Sequence, residues 1–586
     1  MPNVSISTLV DRSMNLLNRG FEGLLKPVLN RAIPADPRHR LWFQAAAIVT
    51  VSLSIALAGN GRSSLWDRDE PRFACAVREM RSRGDWITPT FNGEPRYNKP
   101  ILIYWLMRAS TSIAGESPFG VRLVSSLAGT GTCLLIWVLG RRLLGPEGGL
   151  LAAFIHATAP IAVVEAKLAT ADALLALLIV GCQFCLWELS RRPSRKIAIL
   201  FWSLAALATL DKGPVGPLIV AAAAVASWIL GGSRTAIKNL YPKIGIPLFI
   251  LIVAPWLIAI GIVSRGEFFR VAVAEQFFGR IARGVEKHEG FPGYYAAVSI
   301  IAYFPWSAIL PAALVAVWSK RRVRPEAPYL LGWVIGPWVL LEIPRTKIVH
   351  YYLSAYPAIA MIAVWLIVDS AANLVDLRRR PLGRLSIGLL GGVGIGLAVV
   401  IVAAGFVFPD PLKIPCILMG MIVLVGVVSA TVRFQSGRGF AAAWGLVLSW
   451  GLVTAIAGGW AIPAAEPFRT SRSIAERLAE WSKREKLDRV LGSYQEPGII
   501  YELGEPTRLV RGRDEWIDLM REHKPVVAPL LPLEMSVLRR EPSLALDVLE
   551  TTRIFNFTRA QSDIIQFVRV SRVDQTASGK PETRRR

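Results

Sequence analysis

Long uncharged stretches, each close to the roughly 20 residues that carry a helix across a bilayer, recur from residue 42 onward. They lie near 42–60, 122–140, 148–164, 173–189, 197–210, 213–231, 244–263, 293–318, 327–342, 351–368, 385–408, 412–431 and 439–462. Hydrocarbon obliges each segment to satisfy its own backbone polar groups, so the pattern predicts a polytopic α-helical membrane protein. One further stretch, 100–115, is shorter, contains Arg108 and follows Lys99-Pro100. If it lies along the interface, there are about 13 spans. The basic loops Arg141-Arg142, Arg191–Lys196, Arg234–Lys243, Lys320–Arg324, Arg378–Arg384 and Arg433–Arg438 then share the side of the N-terminus, as the positive-inside rule requires. If it crosses, all of them move to the other side. The first arrangement is adopted, with the N-terminus in the cytoplasm.

The ends of the chain read differently. Residues 1–40 form a cytoplasmic segment in which Leu9, Val10, Met14, Leu17, Phe21, Leu24, Leu25 and Val28 recur at helical spacing among Arg12, Arg19 and Lys26, the pattern of an amphipathic surface helix. Residues 41–463 form the transmembrane domain, with external loops at 61–121 and 264–292. Residues 464–575 read as a small external α/β domain. Within it, Ser471–Lys486 is patterned as a helix, and Arg489–Tyr494, Gly498–Leu503 and Pro525–Leu530 as strands. Residues 576–586 read as a disordered tail.

Composition agrees with a membrane protein. Apolar residues make up 53% of the 586 and charged residues 19%, against about 45–50% and 25% in soluble domains. The five cysteines fall mostly in apolar stretches, which excludes a disulfide framework, and Cys182–Cys185 lacks the second pair of a metal site. A net charge of +24 would suggest nucleic acid in a soluble chain. Here it fits cationic cytoplasmic loops on anionic lipid, with no nucleic acid partner.

Two external loops break the charge rule. Residues 61–99 carry Arg62, Arg68, Arg72, Arg78, Arg81, Arg83, Arg96 and Lys99, and residues 264–292 carry Arg265, Arg270, Arg280, Arg283 and Lys287. Cations on the outer face point to an anionic ligand such as a phosphate, gripped by arginine as a planar fork and by lysine as a point charge. The plainer explanation is a solvated loop paired with Asp67, Asp69, Glu70 and Glu79. A carboxylate within reach of a hydroxyl can act as general base. Fixed cations can stabilise charge developing on a leaving phosphate. The residue types therefore fit group transfer from a phosphate-linked donor.

The loop elements Asp69-Glu70-Pro71-Arg72-Phe73, Gly84-Asp85-Trp86, Asn92-Gly93 and Lys99-Pro100-Ile101 with Tyr104-Trp105 resemble the first external loop of the lipid-dependent glycosyltransferases of the aminoarabinose transferase and protein O-mannosyltransferase superfamily. That superfamily has the glycosyltransferase C (GT-C) architecture. Phe73 stands where the family has Tyr, and Ile101 where it has a second Pro. Downstream, Glu165–Asp172, Leu210-Asp211-Lys212-Gly213-Pro214 and Lys347–Tyr351 are similar to later elements of the family; the second of these usually reads Leu-Thr-Lys-Gly-Pro.

The resemblance implies an integral-membrane transferase of the bacterial inner membrane. It would move a sugar from a polyprenyl-phosphate donor to a lipid, glycan or protein acceptor on the outer face, with inversion. Asp69, Glu70 and Asp172 would be the catalytic carboxylates. Arg72, Lys99, Lys212, Lys347 and Tyr351 would contact the donor phosphate, and His288 and Glu289 the acceptor. No cofactor is required; His288 with Glu289 is at best half a zinc site, so a divalent metal has no support. A flippase for lipid-linked sugars and a non-catalytic assembly protein are the alternatives. A flippase predicts paired inverted repeats and polar residues at mid-membrane, neither of which is visible in the sequence.

Overall fold

The computed structural model describes residues 36–66, 69–279, 290–369, 380–408, 410–522, 524–556 and 561–573. The expected surface helix over Leu9–Val28, the pair His288–Glu289 and the tail 576–586 lie outside the described residues. The chain divides into two compact units. One comprises residues 1–60, 98–103 and 122–461, and the other 61–97, 104–121 and 462–586. The second unit therefore joins most of the 61–121 segment to the C-terminal domain.

The first unit is helical. Among the described residues, eight helices are long and apolar enough to cross a membrane. The expected 13 is not reached on that measure: 213–231 and 293–318 carry only shorter apolar helices, Val215–Ile229 and Trp306–Ser319, the helices at 197–210 and 327–342, Arg195–Lys212 and Glu326–Glu342, are not among the eight, and two further segments share one run. The 122–140 and 148–164 segments form one run, Pro118–Thr158, broken at Gly145 (φ 83°, ψ 172°), immediately before Pro146. Glycine adopts that backbone without penalty, and proline supplies no N–H to carry the helix through. The two arms pack closely: a Cβ on Gly140 would lie 2.8 Å from Gly149 Cα.

Burial separates inner from outer helices. The apolar windows of Asp172–Arg191 and Val349–Val368 are 83% and 89% buried, whereas those of Pro242–Val263 and Pro381–Val407 are only 17% buried. Exposed Leu251, Ile258, Ile262, Val399 and Val400 are then lipid-facing positions in a chain of this class. Many polar groups inside the unit are bonded to backbone carbonyls, as a dry environment favours. Ser52, Thr130, Thr158 and Thr454 return their hydroxyls to carbonyls one turn back. Tyr329 and Tyr352 donate to the carbonyls of Gln183 and Val334.

The second unit has a five-stranded mixed sheet: β3 (Asp488–Leu491), β4 (Arg508–Leu509), β5 (Val526–Leu530), β6 (Leu544–Asn556) and β7 (Gln561–Arg572), following the small hairpin of β1 (Thr90–Phe91) and β2 (Glu94–Pro95). The sheet order is β4-β3-β5-β7-β6, with β3 parallel to β4 and β5, and β7 antiparallel to β5 and β6. The helix Thr470–Glu485 confirms the expected helical pattern. Residues 498–503 are not a strand but part of the helix Pro497–Leu503, opened by Pro497 and ended by Gly504 at φ 84°. A short apolar run does not distinguish the two states; the flanking proline and glycine decide it.

Cys75, on the helix Glu70–Ser82, is buried in one core with Ile474, Leu478, Ile499, Val527 and Phe567. Arg78 donates to the Tyr501 carbonyl (3.0 Å), and Asn92 exchanges two hydrogen bonds with the Thr507 backbone (2.9 and 2.8 Å). The loop that carries the acidic motif is thus built into the C-terminal domain.

Candidate active site

The first-loop motif is held by its own turn chemistry. Helix Glu70–Ser82 ends at Gly84 (φ 66°), with Asp85 N–H returning to the Met80 carbonyl at 2.9 Å and Gly84 N–H to that of Arg81 at 3.1 Å. This closure needs a residue in the left-handed region. Asp85 Oδ1 then accepts from the Ile87 and Thr88 amides (2.7 and 3.2 Å), and the Arg108 guanidinium lies 3.7 Å from the Trp86 ring centroid. Asn92 (φ 58°) and Gly93 (φ 81°) make the tight turn between β1 and β2, the Asn-Gly signature of such hairpins. Buried Glu79 accepts from the Asn92 and Gly93 amides (2.8 and 3.2 Å) and from the Thr90 hydroxyl. Gly-Asp-Trp and Asn-Gly are therefore structural elements that fix the loop.

Asp69 and Glu70 differ sharply in environment. The Asp69 side chain is 65% exposed and sits 3.9 Å from Arg72. Glu70 is buried and accepts from the Trp66 amide at 2.6 Å. Asp69 is thus exposed, while Glu70 ties the start of its helix to the Trp66 amide.

In the first unit, a cavity of about 670 Å³ gathers residues from six separate stretches of sequence. Lys99, Asp172, Lys212, His350 and Tyr351 supply its polar part, and Val253, Trp256, Leu257, Phe268 and Phe269 an apolar wall. Asp172 lies in the first turn of Asp172–Arg191, where a helix favours negative charge. Lys212 closes the helix Arg195–Lys212, which stops at Gly213 (φ 69°). The two form a hydrogen-bonded ion pair. His350 bridges two acids, with Nε2 3.7 Å from Asp172 and Nδ1 3.6 Å from Glu165. The Lys212 ammonium lies 4.8 Å from the Tyr351 ring centroid, and Lys99 is within electrostatic reach of Asp172.

Lys347 is placed elsewhere. Its ammonium pairs with Glu342 and donates to the Phe291 carbonyl (3.0 Å); Thr346 and His350 line the cavity on either side of it in sequence. In the second cationic loop, Arg270 pairs with Glu267 and Glu275, while Phe268 and Phe269 line the cavity. Asp211 is fully buried, and neither carboxylate oxygen has a hydrogen-bond partner among the described residues. It stands where the family pattern has threonine. From sequence, His350 has only a weak claim to a ligand role, and the apolar wall carries no signal; the His-Tyr-Tyr run beside Lys347 is the available pointer. Among the described residues, no group of three or more metal-ligating side chains is present.

The arrangement can therefore hold an anionic headgroup against two lysines while an apolar chain lies along Val253–Phe269. Comparison with known proteins points the same way. A family profile described as dolichyl-phosphate-mannose-protein mannosyltransferase matches residues 98–258. The undecaprenyl phosphate-alpha-4-amino-4-deoxy-L-arabinose arabinosyl transferase of Pectobacterium atrosepticum is 29% identical over 432 residues, covering 71% of this chain and 75% of its own. Its counterpart in Pectobacterium carotovorum is 28% identical over 431 residues, with the same coverage. The crystal structure of ArnT from Cupriavidus metallidurans bound to undecaprenyl phosphate superposes with a TM-score of 0.71, covering 91% of this chain and 99% of that one at 19% identity; its fold is shared. Motifs, sequence similarity and fold converge on a membrane glycosyltransferase that is similar to the aminoarabinose transferases and, over residues 98–258, to the protein mannosyltransferase profile.

Proposed function

We propose that this enzyme transfers a sugar from a polyprenyl phosphate to a lipid, glycan or protein acceptor on the outer face of the bacterial inner membrane. The observation that carries the reading is the cavity of the first unit, where Lys99 and Lys212 share one space with the apolar wall of Val253, Trp256 and Leu257. Two cations suit a phosphodiester headgroup, and the wall suits an isoprenoid. Pro242–Val263, which supplies that wall, is among the least buried helices, as expected where a lipid tail passes between bilayer and cavity.

In the proposed reaction, the acceptor hydroxyl attacks the anomeric carbon and Asp69 takes its proton. The carbon–phosphate oxygen bond breaks, and its electron pair stays on the departing polyprenyl phosphate. That group is a weak base and needs no general acid; Lys99 and Lys212 stabilise its charge, with Arg72 as a further candidate contact. Asp172 holds Lys212 in place, and Tyr351 packs beside it. Glu70 shapes the turn. Lys347, bound to Glu342, orders the segment leading to His350. His288 and Glu289 remain proposed acceptor contacts. Direct displacement inverts the anomeric centre.

The test is the anomeric configuration of the product made by purified enzyme from a synthetic polyprenyl-phosphate sugar. Inversion, together with loss of turnover in Asp69→Asn, supports the reading. Retention, or wild-type turnover in Asp69→Asn, rejects that mechanism. Impermeant labelling of a tag after residue 573 in spheroplasts tests the external placement of the C-terminal domain.

A further inference from the structure

Between the last membrane helix and Thr470–Glu485 lies a short turn, Glu466–Phe468. Its acid and the arginine that follows face a loop segment some four hundred positions earlier in the chain. The Ser64 amide donates to both oxygens of Glu466 (3.1 and 3.0 Å). Arg469 donates to the Ser64 carbonyl and lies 3.8 Å from Glu466. Both polar groups of one residue's backbone are thus taken by one ion pair. The Arg469 guanidinium also sits 4.6 Å from the Trp66 ring centroid, and the Trp66 amide donates to buried Glu70. Ser63, Ser64 and Leu65 are buried, and the Glu466 and Arg469 side chains are largely so.

From this geometry we propose that Glu466 and Arg469 are positioning residues for the acidic motif: they fix the stem from which Asp69 projects. Asp69 itself is 65% exposed, with its carboxylate 3.9 Å from Arg72, so its own side chain does little to set its place. What sets it is the stem on one side and helix Glu70–Ser82 on the other, and the C-terminal domain grips both, the stem through Glu466 and Arg469 and the helix through Cys75 and Arg78. A side-chain ion pair on a backbone amide and carbonyl is strong, because charge-assisted hydrogen bonds exceed neutral ones. It holds without the regular ladder that a strand pairing would impose on a loop able to admit an acceptor. The C-terminal domain thereby acquires a role in the transfer reaction itself; that part of the inference rests on the proposed function, with Asp69 as base.

The experiment uses the full-length enzyme in nanodiscs, with Glu466→Gln, Glu466→Ala, Arg469→Lys and Arg469→Ala. Turnover is read as polyprenyl phosphate released from a synthetic donor, and backbone order as hydrogen exchange over residues 63–72. We expect Arg469→Ala and Glu466→Ala to lower kcat at least tenfold with donor KM within twofold. The conservative Arg469→Lys and Glu466→Gln, each keeping a donor or acceptor, should recover part of the loss. Exchange at Ser64 and Trp66 should rise in the alanine variants, while the β3 and β5 amides stay protected. Wild-type kcat and unchanged exchange in folded alanine variants would overturn the proposal. If the alanine variants fail to fold, Glu466→Gln carries the test alone: unaltered exchange at Ser64 overturns the clamp, and raised exchange with lowered kcat upholds it. A wild-type enzyme that releases no polyprenyl phosphate would remove the transferase reading instead, leaving the clamp to be judged on exchange.

Discussion

Lys212 and Asp172, forty positions apart at the ends of two neighbouring helices, form an ion pair whose side chains are only 8% and 11% exposed. Removing one member of such a pair strands the other, at a cost of about 3–5 kcal/mol. Lys212→Ala is therefore expected to abolish turnover and to lower the melting temperature in detergent. Lys212→Arg keeps the charge in a larger fork and should retain the fold with reduced kcat. A folded Lys212→Ala enzyme of wild-type activity would contradict the role given to this pair.

The apolar wall yields a size test. Val253 and Leu257 line the cavity one helical turn apart. Val253→Trp should narrow the track of the lipid tail. We expect donor KM to rise about tenfold, equivalent to about 1.4 kcal/mol, for a long polyprenyl donor. A short-chain analogue should show little change. Equal effects on both donors would mean that the tail lies elsewhere.

Glu79 is a hub of the loop, and its carboxylate is taken up by structural hydrogen bonds. It satisfies two backbone amides and a hydroxyl at the Asn92-Gly93 turn. Glu79→Ala removes the acceptor of all three donors; of these residues Thr90 is buried, and a buried unpaired group costs about 1–3 kcal/mol, while the Asn92 and Gly93 amides can turn to water. The expected result is lower thermal stability and raised amide exchange at residues 90–94, measured by mass spectrometry. Turnover should fall only to the extent that the loop unfolds.

Burial pushes the Cys75 thiol up to about 12, outweighing the lowering effect of neighbouring Arg78. The sign follows from comparing states. Below the ordinary thiol value of 9.0, folded and unfolded chains both keep the proton. As pH rises from there toward 12, only the unfolded chain loses it, so the stability contributed by the buried thiol is full below pH 9 and declines above. Cys75 should resist maleimide at pH 8 in the folded enzyme, and its labelling should track unfolding of the second unit. Rapid labelling of Cys75 under native conditions would show that this core is open.

Much of the fold was legible because hydrocarbon imposes a coarse rule: long apolar runs become helices, and Gly145-Pro146 breaks one where the sequence says it should. The acidic motif was legible for the same local reason, since Gly84 and Asn92-Gly93 encode their turns within a few residues. Lys99, Asp172, Lys212 and Tyr351 do line one cavity, but their convergence depends on helix packing that no local spacing reports. Lys347 shows the converse. A lysine beside a family element looks like a phosphate ligand until Glu342, five positions before it, takes its charge. Glu466 and Arg469 carry no signature at all, because their partner is the backbone of Ser64, and a backbone group leaves no trace in residue identity.

The most direct measurement is the fate of a defined polyprenyl-phosphate sugar given to the purified enzyme with an acceptor extract in nanodiscs. The account predicts acceptor-dependent release of free polyprenyl phosphate by the wild type and none by Lys99→Ala or Lys212→Ala. Donor that crosses the bilayer with its glycosyl–phosphate bond intact, or release that persists in both lysine variants, would contradict it.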